Sequence, residues 1–417
     1  MGIHDDDLQR VKIETDLAGV VSQYVALRKV GRRFSGLCPF HNEKTPSFSV
    51  NAEEGFFYCF GCQKSGDAIT FVREIEHLDF VGAVEWLANR LGIALRYTDA
   101  SDGATRKERK ELGALLEKAA DFYHQTLRSG RAAGKVRSYL RSRGFDSETV
   151  EQFRIGYAPN QWDALASHLG VATSKLEAAG LGRQGQRGGP IDFFRDRIMF
   201  PVFDTNGVVV GFGGRMLPDG QQPKYKNTPQ TRLYDKSKVL YGLHMAKKHI
   251  VEADEIVVCE GYTDVIGCFR AGIPRAVATC GTALTDDHVK LMTRFAKRIV
   301  IAFDADGAGK AAADRFYEWE DRHNAEVFVA AMPEGADPGQ LAEENPTVLT
   351  EVLSAAEPFL SYRINRVLDK SDLDRAEGRA RAAADTGAII AEHPNEVVRD
   401  QYLSLIHISE PTRRTPI

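Results

Sequence analysis

EIVVC (255–259), AVATC (276–280), RIVIAF (298–303) and EVFVAA (326–331) are four short apolar runs, and what separates them decides the fold. Each gap holds a helix-length segment: 262–272, 286–296 and 308–323. Strands that read as unbroken apolar runs are buried on both faces, and regular alternation with helices implies a parallel sheet covered on each side. Ligands of such sheets collect at the carboxyl ends of the strands. Acids stand at two of those ends. Glu260 follows the first strand with Asp264 four residues on, and Asp304 and Asp306 follow the third, with Gly307 and Gly309 loosening the turn.

Several carboxylates without a basic partner are costly to hold together unless a cation joins them. Hard oxygen ligands on neighbouring strand ends suit magnesium bound to a phosphate substrate, and the chemistry implied is metal-assisted phosphoryl transfer. A plainer role is also open, because strand-end acids cap the helix that follows, and Asp264 and Asp306 fit it. Gly307-Ala308-Gly309-Lys310-Ala311 imitates the end of a phosphate-binding loop. It lacks the glycine five residues before Gly309 and has Ala311 where Ser or Thr would hold magnesium, so an ATPase reading has little support.

Toward the N-terminus, RDRIMFPVFDTNGVVVGFGGR (195–215) reads as two strands joined by an Asp-Thr-Asn-Gly turn, since Asn-Gly tolerates the positive φ of tight hairpins. Basic residues gather in RKVGRR (28–33), in Arg128–Arg143 and between Arg215 and Lys238, while acids gather in 317–357. The net charge of −4 hides this segregation, which is compatible with a polyanionic partner.

Further out lie Cys38-Pro-Phe-His41 and Cys59-Phe-Gly-Cys62. Two spacer residues let both side chains of a turn reach one ion, and four nitrogen or sulfur ligands close a tetrahedral zinc site, so one structural zinc is expected. Phe40, Phe48, Phe56, Phe57, Tyr58 and Phe60 are expected to supply the small core around it. The other three of the six cysteines, Cys259, Cys268 and Cys280, lie in apolar segments and read as small buried hydrophobes. No apolar run approaches the roughly 18 residues of a membrane span, and MGIHDDDLQR is no export signal, so no membrane partner and a cytoplasmic location are expected.

Three stretches carry a resemblance. CPFHNEKTPSFSV followed by FYCFGCQKSGDAITFV (38–72) is similar to the zinc-binding domain of bacterial replicative primases, the DnaG family. EGYTD with DAD some forty residues later, in a βαβ rhythm, resembles a Toprim domain, which topoisomerases, nucleases and recombination proteins share. The 195–215 segment with PKYKNTPQTRLYDKSKVLYGL (223–243) is similar to the primase polymerase core. The resemblance implies an α+β multidomain chain: a zinc-ribbon-like domain at 1–97, a linker at 98–111, and the N-terminal polymerase part at 112–253. A Toprim subdomain at 254–340 and a helical subdomain at 341–402 follow.

It implies synthesis of short RNA primers on single-stranded DNA from ribonucleoside triphosphates. Two or more catalytic magnesium or manganese ions would sit on Glu260, Asp304 and Asp306, with Asp264 beside them. Primases usually add Asp-Pro-Asp. This chain has Asp337-Pro338-Gly339, which leaves Asp337 as a further candidate ligand and puts a third metal position in doubt. Lys224, Lys236, Arg215, Arg195, Arg197 and Lys226 are expected to line the nucleic-acid and nucleotide path, with Asn227 and Tyr225 as hydrogen-bonding candidates. Lys29, Arg32 and Arg33 are candidates for single-strand contact in the zinc domain.

A replicative helicase, bound through a C-terminal domain expected to be absent here, and single-strand-binding protein are the implied partners of an expected monomer. LSLIHISEPTR (403–413) matches the translation of a transposase sequencing adapter, so 403–417 is set aside and the natural chain is expected to continue. A type IA topoisomerase would need a nucleophilic tyrosine in a large further domain. A purely binding module would not need Glu260, Asp304 and Asp306, and a primase–helicase fusion would need a phosphate loop.

Overall fold

The structure is a computed structural model that describes the chain apart from residues 1, 42, 77, 98–99, 187, 221, 303–309, 324, 334 and 409–417, together with the side chains of 100–106, 310–314 and 405–408. It divides into two compact units, Met1–Lys110 and Glu111–Ile417.

In the first unit, α1 (Asp5–Glu14) and α2 (Leu17–Val21) precede five short strands: β1 (Arg28–Val30), β2 (Arg33–Gly36), β3 (Phe48–Asn51), β4 (Phe56–Cys59) and β5 (Ser65–Gly66). The strands form an antiparallel meander in chain order. Helices α3 (Ala68–Ile75) and α4 (Phe80–Leu91) follow. Each begins at an aspartate, Asp67 or Asp79, whose carboxylate accepts from the amide three residues on. Of the aromatics expected in the core, Phe48 and Phe57 are buried, whereas Phe56 is 43% and Phe60 66% exposed. Alternation along β4 explains the split, because Phe57 and Cys59 face inward and Phe56 and Tyr58 face the other way. Phe71 of α3 completes the cluster, edge-on to Phe40 and Phe57.

Helix α5 (Ala100–Ser129) begins in the first unit and ends in the second, so the charged stretch read as a linker is helical from Ala100 onward. Next come α6 (Gly134–Ser142), α7 (Ser147–Gln152), β6 (Gly156–Ala158), α8 (Ala164–Leu169), α9 (Thr173–Ala178), β7 (Gly182–Gln184) and β8 (Pro190–Asp192). Then β9 (Arg197–Phe203) and β10 (Val209–Met216) form the expected hairpin, with the Asp204 carboxylate accepting from the amides of Asn206 and Val208 to fix the turn. With β11 (Tyr225–Asn227) they make an antiparallel sheet ordered β11-β10-β9-β6.

The parallel sheet follows. Helix α10 (Leu243–Ala253) leads into β12 (Glu255–Cys259), α11 (Tyr262–Arg270), β13 (Ala276–Ala278), α12 (Asp286–Met292), β14 (Arg298–Ile301), α13 (Lys310–His323) and β15 (Glu326–Val329). The order is β13-β12-β14-β15, all parallel, with β16 (Glu357–Pro358) antiparallel at the edge. Burial on both faces is visible residue by residue. Val257, Cys259 and Val300 belong to one apolar cluster, and Ile256, Val258, Ile299 and Ile301 to the other. Helices α14 (Pro338–Glu344) and α15 (Pro346–Ser354) flank the sheet, and α16 (Phe359–Asp369), α17 (Ala376–Ala391) and α18 (Glu396–Ile408) close the chain. The last three pack around Leu360, Ile364 and Ile390, with Val398 and Tyr402 against them. Among the described residues no helix is long and apolar enough to cross a membrane.

Candidate functional site

Each unit holds one candidate centre. In the first, ligand atoms of Cys38, His41, Cys59 and Cys62 all lie within 4.8 Å of one another. Two of its edges are 3.8 Å, from Cys38 Sγ to Cys62 Sγ and from Cys59 Sγ to His41 Nδ1. Zinc–sulfur bonds of about 2.3 Å in a tetrahedron give a sulfur–sulfur edge of about 3.8 Å, so the donor set fits zinc in both chemistry and size. Amides of Phe40 and Cys62 point at Cys38 Sγ and Cys59 Sγ, each at 3.4 Å, which favours thiolate.

Glu43 was missed by the sequence reading. It lies 3.2 Å from His41 Nε2, leaving Nδ1 turned toward the cysteines, and it accepts from the amides of Cys38 at 2.7 Å and Ser47 at 3.1 Å. One carboxylate thus orients a ligand ring and ties both sides of the ligand loop. A hydrogen bond from Ser47 holds its carboxyl below the usual range, against the effect of burial. The only signal for it was its position two residues after a ligand.

The second centre is a cavity of about 700 Å³ in the second unit. Glu260, Asp264, Asp337, Glu343 and Glu344 contribute its acids; Arg215, Lys224, Arg143 and Arg270 contribute its bases, with Arg143 paired to Glu343 at 3.6 Å. Glu260 is delivered by the end of β12 and is exposed. Asp264 sits in the first turn of α11 and accepts from the amide of Gly261 at 3.0 Å, so it caps the helix as well as reaching the cavity. Burial first, then the charges of Asp337 and Glu260, push its carboxyl up to about 6. Asp337 caps α14 through the amide of Gln340 at 2.7 Å, with Pro338 beginning the helix. Asp304 and Asp306 lie outside the described residues.

The six basic candidates part company. Arg215 and Lys224 line the cavity, 5.7 and 5.9 Å from the centroid of the Tyr225 ring. Lys226, Arg195, Arg197 and Lys236 do not line it. Arg197 is buried and donates to the carbonyls of Gly214 and Pro223. Arg195 stacks 3.6 Å from the centroid of Trp162, a ring that is 62% exposed and that no sequence pattern had singled out. The residue between them, Asp196, has φ 50, and this left-handed step sends the two arginines different ways.

Lys226 donates to the carbonyl of Phe193 at 2.6 Å; burial, then Arg197, Arg195 and Arg183, carry its amine down to about 8. Lys236 is half-buried, close enough for its charge to act on the Cys280 thiol. The amide of Asn227 is committed within the fold, accepting from Tyr262 Oη at 2.9 Å and donating to the Cys280 carbonyl. Tyr262 itself packs onto the sheet where Gly213 leaves room, since a Cβ there would lie 2.1 Å from the ring. Cys259, Cys268 and Cys280 are all buried, as their apolar surroundings suggested.

Family models match four stretches: a CHC2 zinc finger at 3–103, the N-terminal domain of the DNA primase catalytic core at 122–247, a Toprim domain at 254–331, and the DnaB-helicase binding domain of primase at 360–406. The last match overturns the expectation that a helicase-binding domain is absent. In sequence those residues show helical segments but no distinctive polar motif, so they read as part of one helical subdomain at 341–402. The DNA primase of Streptomyces coelicolor is 42% identical over 406 residues, which are 94% of this chain and 63% of the relative. The chain therefore spans somewhat under two thirds of that protein. The RNA polymerase domain of Mycobacterium tuberculosis primase DnaG, solved with double-stranded DNA, superposes with a TM-score of 0.66 at 38% identity over 72% of this chain and 97% of that one. The Aquifex aeolicus primase, zinc-binding and RNA polymerase domains, matches 98% of this chain and 97% of its own at 30% identity and a TM-score of 0.61.

Proposed function

Because the chain belongs to the DnaG family of bacterial DNA primases, we propose that it synthesises short RNA primers on single-stranded DNA from ribonucleoside triphosphates. The observation that supports this most is the single cavity in which Glu260, Asp264 and Asp337 meet Arg215 and Lys224. Triphosphate and template are polyanions, so cations on the wall bind and orient phosphate without reading sequence. Arg215 and Lys224 take that role, with Arg143 added to the set. The acids share the cavity with four cationic side chains, and their oxygen donors suit a hard cation.

Glu260, Asp264 and Asp337, together with Asp304 and Asp306, would hold magnesium or manganese, whose chemistry is to offset triphosphate charge and lower the pKa of the attacking 3′-hydroxyl. Arg195 with Trp162, Lys226 and Lys236 extend the basic surface that tracks a strand, and Lys29, Arg32 and Arg33 serve template contact in the zinc-binding unit. The helices at 360–406 are the surface for a replicative helicase. Single-strand-binding protein is a further partner, and a monomer at work in the cytoplasm, at the replisome, completes the reading.

Primer synthesis on single-stranded DNA with magnesium or manganese tests it. Glu260→Gln and Asp304→Ala each abolish synthesis while zinc content and melting stay as in the unmodified chain. Full synthesis by either variant refutes the cation assignment.

A further inference from the structure

Helices α11 and α14 cross almost backbone to backbone. A Cβ placed on Gly267 of α11 would lie 3.0 Å from Ala342 Cβ and 3.1 Å from Gly339 Cα. Gly339 in turn faces the acids of the cavity. A Cβ on it would lie 2.8 Å from Asp264 Oδ1, 3.2 Å from Asp337 Oδ1 and 3.3 Å from Asp264 Cα. Packed interiors do not accommodate an added methyl group at such distances without a shift.

Asp264 has two ways to yield, and neither is free. Swinging the carboxylate would strain or break its bond from the Gly261 amide, 3.0 Å long, in a residue only 7% exposed. Moving its backbone would open the crossing at Gly267. Asp337 is constrained as well, since its carboxylate already receives the Gln340 amide.

We propose that Gly339 is a positioning residue of the acidic cavity. Its missing side chain lets α14 close on α11 and leaves Asp264 and Asp337, from two different helices, aimed into one space beside Glu260. The space an acid at 339 would need is filled by the Asp264 carboxylate itself. An aspartate placed there adds a Cβ before it adds a ligand. The inference rests on reading the cavity as a divalent-cation site.

The test is manganese binding to the full, zinc-loaded chain, followed by the electron paramagnetic resonance of free Mn2+, with thermal melting alongside. Gly339→Ala weakens Mn2+ binding about tenfold and lowers the melting temperature. In an Asp264→Ala background the same change costs less of both, because the Cβ no longer meets the Asp264 carboxylate, its nearest contact, while Asp337 Oδ1 and Asp264 Cα remain. Gly339→Asp binds no more Mn2+ than the unmodified chain. If Gly339→Ala folds only in the Asp264→Ala background, the proposal stands, because the carboxylate is then what the Cβ meets.

Unchanged Mn2+ affinity in Gly339→Ala, equal losses in both backgrounds, or an additional Mn2+ in Gly339→Asp overturns it. Primer synthesis by the unmodified chain separates this from the functional reading. Synthesis with additive losses removes the positioning role alone, whereas non-additive losses without synthesis remove the polymerase reading and keep Gly339 in its role.

Discussion

The cysteine–histidine cluster and the acidic cavity solve one electrostatic problem in opposite ways. In the first, two turns of a small sheet bring four ligands within 4.8 Å, and Glu43 and the amides of Phe40 and Cys62 direct them inward. In the second, acids from a strand end and two helix caps line about 700 Å³ of open space that also takes Arg215 and Lys224. A closed set of soft ligands contributes folding energy; an open set of hard ones keeps room for a substrate. The difference teaches that a ligand's neighbours, more than its charge, decide whether a cation site is structural or reactive.

The largest effect should come from opening the closed site. Cys59→Ser removes one of four ligands, and zinc binding in such sites is worth on the order of 10 kcal/mol. The prediction is a protein without zinc whose Met1–Lys110 unit is unfolded while Glu111–Ile417 keeps its melting transition; metal analysis with circular dichroism checks it. Bound zinc in that variant would show that the set is not closed.

Next comes the proton balance of the open site. Asp264 sits at about 6 when folded against an ordinary 3.8. Below pH 3.8 it is protonated in both states and has no effect. As pH rises from 3.8 to 6 the unfolded chain gives up its proton first, so stability falls by up to roughly 3 kcal/mol in cation-free protein. Magnesium or manganese should restore the loss above pH 6, and Asp264→Asn should flatten the profile. Melting curves from pH 4 to 8 decide this, and an equal slope in Asp264→Asn would assign it elsewhere.

A subtler change tests the support of the closed site. Glu43→Gln keeps shape but weakens the hold on His41, and loss of such partners costs about 10- to 100-fold in metal affinity. Competition with a zinc chelator measures it. The smallest effect contrasts two cations: Lys224→Ala should reduce the salt slope of single-strand binding by about one, whereas Arg197→Met should lower melting and leave the slope unchanged.

How much of this could be read in advance depended on how local the determinant was. The strand 255–259 and the gathering of Cys38, His41, Cys59 and Cys62 follow from spacing within a few residues of each element. Ladder geometry shortened the other strands, to 276–278, 298–301 and 326–329. The basic candidates were legible as charge but not as place. Whether an arginine reaches the cavity, a tryptophan or a buried carbonyl depends on backbone turns and on strands brought in from elsewhere. Asp337 meets Asp264 where α11 and α14 approach closely at Gly267 and Gly339; Gly339 stands out in sequence only as a missing acid, and Gly267 not at all.

The left-handed Asp196 turns the chain where it enters β9. Arg195 lies in the irregular stretch before that strand, and Arg197 is its first residue. One backbone step of opposite hand assigns one guanidinium to the interior and the other to an exposed ring. Tolerance to substitution at 196 should therefore follow handedness before charge: glycine and asparagine accepted, valine and isoleucine refused. The acid has a partner of its own, since the buried Tyr157 hydroxyl donates to Asp196 Oδ1 at 2.8 Å, so asparagine, which keeps an acceptor, fits better than glycine.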